Sequence, residues 1–413
     1  MPSDFKKLLS ARFLFTFAVQ MQSVILGWRI YELLKDPLYL GLIGLAEAVP
    51  AIGFALFAGY LIDRKPPLII YRSIIFVSLL SALLVLTEHL LHTRTSLNPS
   101  LSLQVGLLYS ASFLTGIARA FAMPAIFAII PRLVERDFLL KATAMSSSAM
   151  QIARIAGPAI GGLAFGIWGA IASSSIVCFL LLGTAVAAFL IRKKLPSPEQ
   201  VQKHDSIKDE LLSGAKFVFK HPILLPALSL DMISVLFGGV TALLPIFASE
   251  ILMVGPKGLG VLRAAPAVGA TIMSLYLTRN HKARNGFWLL TSVTGFGLCI
   301  LVFGASTNFF LSLAALALSG AFDSISMVIR STAVQLLSPE HMRGKISAVN
   351  SIFIGSSNEI GEVESGIAAK LLGTVPAVYL GGIVCLITVA LTAWLSPCLR
   401  KLDLRKLEKH TNS

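Results

Sequence analysis

Seven polar residues stand inside long apolar runs, where a charge costs at least about 2.5–3.5 kcal/mol to place. They are Arg119, Asp323, Asp231, Glu359, Glu47, Arg154 and Gln20. Such residues face a protein interior or a water-filled path, so they are the candidates for a substrate and proton pathway. A carboxylate removed from water is easier to protonate, which suits Asp231, Asp323, Glu359 and Glu47 to carrying a proton. A guanidinium at depth attracts an anion, which suits Arg119 and Arg154 to an acidic substrate. The alternative for Arg119 and Asp323 is an ion pair that only holds the halves together, for Glu47 a carboxylate near the outer end bonded to backbone, and for Arg154 a pair with Glu359 or a structural helix contact. Gln20 and Gln22 are two apart on one run, so only one of them faces a given side; Gln20 is taken as a hydrogen-bonder to substrate. Arg29, nearer the outer end of its run, is expected to snorkel to the surface. His89 is expected in a loop with most of the other histidines.

The elements that must position these residues are membrane helices. Of 413 residues, 55% are apolar and only 14% charged, and the mean hydropathy is +0.79. A soluble domain carries about a quarter charged residues. Four cysteines exclude a disulfide scaffold, and none forms a zinc-type cluster. Twelve runs are long enough to span a bilayer core. Six precede a polar stretch and six follow it. The expected fold is all-α and integral to the membrane: residues 1–192 form an N-terminal six-helix half, 193–221 a cytoplasmic loop, 222–397 a C-terminal six-helix half and 398–413 a basic tail.

Charge orients this array. Only Lys35, Arg94, Lys257 and Lys370 fall in one set of alternating loops, and five arginines lie inside spans. The remaining 26 of the 35 basic residues flank the other set, which includes both termini. The positive-inside rule then places both termini in the cytoplasm, and for a bacterial chain the membrane is the inner one. The net charge of +14 is thus a topology signal. A nucleic-acid partner is not expected, because no clustered basic domain is present.

The halves repeat. At an offset of 204, Gly116 aligns with Gly320, Lys141 with Lys345, Gly157 with Gly361, and Arg119 with Asp323. Earlier in each half the offset is 216, aligning Tyr60-Leu61 with Tyr276-Leu277. Paired six-helix halves with a midplane site between them are an architecture of secondary transporters.

Local motifs sharpen this reading. Gly59-Tyr60-Leu61-Ile62-Asp63-Arg64-Lys65 resembles the loop motif of the major facilitator superfamily, although Pro66-Pro67 replace its usual ending. Arg119 resembles that superfamily's second motif, with Ala122 and Met123 as departures. Gly157-Pro158-Ala159-Ile160-Gly161-Gly162 is similar to a motif of proton-driven exporters. Gly27-Trp28-Arg29-Ile30-Tyr31-Glu32-Leu33, Gly116-Ile117-Ala118-Arg119-Ala120-Phe121 and Asn358-Glu359-Ile360-Gly361-Glu362 resemble the branch that contains the enterobactin exporter and related drug and siderophore exporters. The resemblance implies alternating access, proton antiport and outward movement of a small amphipathic molecule. It also implies that the loop residues Asp63 and Arg64 take part in conformational gating by stabilising the outward-facing state. Gly59, Gly157, Pro158, Gly161 and Gly162 join them as gating candidates on their own chemistry, since Gly157-Pro158 can loosen its helix as a hinge, with tight packing as the alternative. Gly59 and the span-five glycines are read as sites of close helix approach. Multidrug efflux and siderophore import are the alternatives within the same fold.

The sequence holds no P-loop, so ATP is not the expected drive and no cofactor or metal is expected; the proton gradient is the drive that the resemblance implies. It also lacks G-x-S-x-G and H-E-x-x-H, and no enzyme activity is expected. The expected partners are a small-molecule substrate and the lipid bilayer, with the chain a monomer.

Overall fold

The computed structural model describes residues 2–62, 64–93, 99–192, 207–279, 285–339 and 342–404. Side chains at 56, 207–212, 343, 344, 347, 348, 351, 352, 356 and 359 are outside that description, as are Asp63 and most of the basic tail. The described residues are helical almost throughout: α1 (Ser3–Leu34), α2 (Pro37–Gly53), α3 (Ala55–Ile62), α4 (Pro67–Thr93), α5 (Leu101–Leu133), α6 (Arg136–Phe189), α7 (Ile207–Lys220), α8 (Leu224–Gly238), α9 (Leu244–Ile246), α10 (Gly255–Arg279), α11 (Gly286–Ala305), α12 (Phe309–Leu337), α13 (Arg343–Leu372), α14 (Thr374–Leu395) and α15 (Pro397–Arg400).

Among the described residues, nine stretches are long and apolar enough to cross a membrane. One of them, α6, contains two helices that meet at Gly169, where φ is +81°. The α2–α3 stretch and the more polar α13 are further crossings, so the array is consistent with the twelve expected. The polar middle stretch is not all loop, because α7 lies within it.

Capping residues explain several boundaries. Asp36 accepts from Leu38 N–H at 3.0 Å and precedes a proline at the first helical position of α2. Asn285 and Asn308 cap α11 and α12 through their side-chain oxygens. Lys35 ends α1 in the left-handed region.

The chain packs as two units. The first comprises Met1–Gln202 with Leu244–Ala264, and the second Lys203–Leu243 with Ala265–Ser413. The seventh crossing is interrupted on the way from one to the other. It is helical to Gly238, extended at Gly239, a 3-10 turn over Thr241–Leu243 and a π-turn over Phe247–Ile251. Broken helices of this kind occur in transporters where backbone lines a path.

Within the first unit, Leu244–Ala264 packs on α1 and α6. Tyr31 donates a hydrogen bond to Glu250, and Arg263 donates to the Ser23 carbonyl at 2.9 Å. The second unit has its own apolar core, which includes Leu230, Val293, Ile325, Ile329 and Cys385.

The sequence repeat has a packing counterpart. A Cβ on Gly116 would strike the Glu47 carbonyl and lie 2.6 Å from Pro50 Cγ. A Cβ on Gly320 would strike the Pro266 carbonyl. Pro50 and Pro266 are related by the 216 offset, so each unit seats a glycine against the same turn of its neighbour.

Candidate functional site

Each unit presents its own set of charges. In the first, Arg119 on α5 reaches α2 and places Nη1 2.6 Å from Glu47 Oε1. Gly116, one turn earlier, lets the two helices come that close. Arg119 remains 45% exposed, so its charge still faces solvent-accessible space.

Two more arginines lie near it. Arg154 on α6 is exposed and within electrostatic range of Arg119, and it has no hydrogen-bond or ionic partner among the described residues. Arg12 on α1 is buried and within range of Arg154. It donates to Ser146 Oγ and lies 3.3 Å from Met150 Sδ and 3.6 Å from Met123 Sδ. Its hydrogen-bond partners among the described residues are thus a hydroxyl and two thioethers, with no carboxylate among them. A buried charge normally has an opposite partner, so this face of the unit suits an anion.

Gln20 is half-buried on α1 and packs where Gly157 leaves room, since a Cβ on Gly157 would lie 2.7 Å from Gln20 Cβ. Gln22 is committed elsewhere, donating to Ser81 Oγ at 2.7 Å. Gly161 faces Met21 of α1. Gly162 faces Gly260 of α10, whose own Cβ would lie 2.6 Å from the Pro158 carbonyl.

Gly59 departs from the packing expectation. A Cβ there would meet nothing within 4 Å, so no neighbour requires glycine. Arg64 sits over the Tyr60 ring at 4.2 Å. Asp63 lies outside the described residues.

In the second unit, Arg330 Nη2 on α12 lies 2.7 Å from Asp231 Oδ1 on α8. Their side chains are 5% and 8% exposed. Arg330 Nε also donates to Ser326 Oγ at 3.3 Å. Asp323, two turns before Arg330, is half-buried and within electrostatic range of both. Among the described residues it has neither an ion-pair nor a hydrogen-bond partner. Asp231 and Asp323 line one small cavity with Ser234, Ser292, Ser326 and Phe322. Glu359 belongs to α13, and its side chain lies outside the description.

Arg29 corrects another expectation. It does not snorkel. It is 4% exposed and holds both oxygens of Glu88, with Nε at 3.1 Å from each and Nη2 at 2.8 Å from Oε1. His89 is likewise not in a loop but buried in α4, with Nδ1 2.8 Å from Ser174 Oγ. A signal for the pair was present: Arg29 and Glu88 each lie five residues from the end of their helix, at matching depth. Arg12 gave no such signal, because it sits near the start of its helix, where an arginine is ordinary.

Two units of membrane-crossing helices with charged residues at depth define a multi-pass membrane transporter. The profile of the family described as transmembrane secretion effector, MFS_3, matches residues 3–411, and the chain belongs to that family of the major facilitator superfamily. The chain is 28% identical over 249 residues to the enterobactin exporter EntS of Shigella dysenteriae serotype 1 (strain Sd197), covering 59% of this chain and 58% of that protein. EntS of Escherichia coli O139:H28 (strain E24377A / ETEC) matches with the same identity and coverage. The match thus spans less than two thirds of these relatives' length. Among solved structures, a POT family transporter in complex with 5-aminolevulinic acid superposes with a TM-score of 0.74 at 13% identity, covering 97% of each chain. A bacterial homologue of the iron transporter ferroportin in an inward-facing state gives 0.73 at 16% identity, covering 95% of this chain and 98% of that one. At these identities the superpositions establish the fold alone.

Proposed function

We propose that the protein is a secondary active exporter that works by alternating access. It exchanges protons for a siderophore or similar small amphipathic acid and moves it outward across the bacterial inner membrane. Both termini are cytoplasmic, the chain acts as a monomer, and neither ATP nor a bound cofactor takes part.

The observation that carries the coupling is the placement of Asp231 and Asp323 on one cavity, with Arg330 the arginine paired to Asp231 among the described residues. Two carboxylates and one guanidinium leave the cluster one positive charge short of neutrality. A proton supplies that charge, and its loss returns the cluster to an anion. Asp231 and Asp323 are therefore the proton carriers in this reading, with Glu47 and Glu359 as secondary members of the pathway. Arg119 and Arg154 receive the acidic substrate, and Gln20 hydrogen-bonds it. The similarity to enterobactin exporters supports the substrate class. Gly59, Asp63, Arg64 and the Gly157–Gly162 segment serve the conformational change.

The test is the distribution of siderophore in iron-starved cells with and without the gene. Retention inside the deletion strain, with depletion of the medium, is the expected result. Normal secretion with lost uptake of the ferric complex would reverse the direction assigned.

A further inference from the structure

The cavity beside Asp231 has more oxygen than proton carriage requires. Its space is about 10 Å³, close to the room one water molecule needs. Asp323 faces it without a hydrogen-bond or ionic partner, and Asp231 faces it with only Oδ1 engaged in its ion pair. Three hydroxyls join them. Ser292 donates its proton to the Leu289 carbonyl at 2.8 Å, which leaves its lone pairs free. Ser326 already accepts from Arg330. Ser234 is the telling residue: it is 2% exposed, and its buried Oγ makes no well-formed hydrogen bond among the described residues, with only the weakly hydrogen-bonding Cys385 thiol beside it. A hydroxyl left unpaired in an apolar core is costly unless something else occupies the space beside it.

We propose that this cavity is a sodium site, filled by Na⁺ in competition with the proton. The donors are all hard oxygens, the set that suits hard cations rather than soft metals. The charge count selects a single positive charge, because Arg330 cancels one of the two carboxylates. A divalent ion would leave the buried cluster positive. The size selects an ion about as large as a water molecule. K⁺ is larger and would have to displace Phe322 or Phe296, which close the apolar side. Among the described residues, the other charged group in electrostatic range of both carboxylates is Arg330, which stays bound to Asp231 and sets the net charge. Cys385 also lies within electrostatic range of Asp231, and its neutral thiol adds no charge.

The inference rests on Asp231 and Asp323 being the ion-coupling site, but its test needs neither transport nor a known substrate. Equilibrium binding of radioactive Na⁺ to the purified full-length protein, at about pH 8 with choline as the balancing salt, reads the site directly. Saturable binding of about one ion per chain is expected, weakened by an excess of unlabelled Na⁺ and little affected by equal K⁺. Lowering the pH to about 6 should weaken it, because protons take the carboxylates. Asp323→Asn should lower the affinity at least about tenfold, and Ser234→Ala about threefold. Asp323 has no hydrogen-bond partner among the described residues to orphan, and Ser234 has at most the weak Cys385 thiol, so both variants should keep the native packing. Absence of saturable binding up to about 100 mM, or undiminished binding by Asp323→Asn, would overturn the sodium site. Na⁺ binding in a protein that moves no siderophore would refute the proposed substrate and leave this site standing.

Discussion

Asp231 and Arg330 form an ion pair of 2.7 Å between α8 and α12, ninety-nine residues apart in sequence and both nearly out of contact with solvent. Their chain neighbours Leu230 and Ile329 belong to the apolar core of the second unit, as does Ile325 on α12. Each partner exists in that core only because the other does.

Breaking the pair should therefore cost more than removing it. Arg330→Gln leaves the Asp231 carboxylate buried with one less cation, a loss on the order of 3–5 kcal/mol. Asp231→Asn combined with Arg330→Gln should recover most of that loss. Unfolding in detergent, read as a double-mutant cycle, checks the prediction. Equal losses for the single and double variants would contradict it.

The Arg29–Glu88 pair should behave in the same way, and Glu32 provides the internal control. Glu88 is fully buried and bound through both oxygens, so Glu88→Ala should destabilise by about 3–5 kcal/mol. Glu32 also contacts Arg29, at 2.8 Å, but is 47% exposed. Its replacement by Ala should cost no more than about 1 kcal/mol. Thermal unfolding of the two variants side by side is sufficient.

Glycine substitutions should separate by neighbour rather than by motif. Gly116→Ala would drive a methyl group into the Glu47 carbonyl, and Gly162→Ala would drive one into the Pro256 carbonyl. Each should cost about 1–3 kcal/mol or more and lower the yield of folded protein. Gly59→Ala and Gly106→Ala meet nothing within 4 Å and should be neutral or stabilising by about 0.5–1 kcal/mol, because alanine is the better helix former. Fluorescence-detected size exclusion after heating ranks all four.

His221 should make the start of α8 acid-sensitive. Its Nδ1 accepts from the N–H groups of Ile223 and Leu224, both at 3.2 Å. Only the unprotonated nitrogen accepts a hydrogen bond. Burial holds the imidazole pKa below its ordinary value of 6.5, so the unfolded chain takes up the proton more readily than the folded one. The stabilisation is complete above the unfolded value and declines as pH falls through it. His221→Asn keeps an acceptor that does not titrate. The variant should lose the acid-side decline, about 1 kcal/mol in size, in unfolding measured across pH 5–8.

The sequence conveyed depth better than direction. Arg119, Asp231 and Asp323 could be placed inside spans by counting from helix ends, since a helix rises a fixed 1.5 Å per residue. Which way each side chain turns depends on how the helices pack, and no local pattern encodes it. Arg119 was considered with its repeat mate Asp323, but the ion pair it forms is with Glu47 on α2. Arg29 was read from its distance to the surface alone, whereas Glu88 at the same depth on α4 gives it a buried partner. The interruption at Gly239 was also hidden, because an apolar run reads the same whether its helix is continuous or broken. The helix array itself was legible, because apolar length, loop charge and the 204-residue repeat all point to it.

Proton exchange against an exported acid is tested most directly in proteoliposomes, scoring chains whose lumen corresponds to the periplasm. With an acidic lumen and enterobactin outside, the wild type should accumulate the compound in the lumen, and collapsing the pH gradient should abolish accumulation. Asp231→Asn should lose gradient-driven accumulation while still exchanging labelled for unlabelled compound at equilibrium. Accumulation that is indifferent to the pH gradient, or undiminished in both Asp231→Asn and Asp323→Asn, would contradict the account.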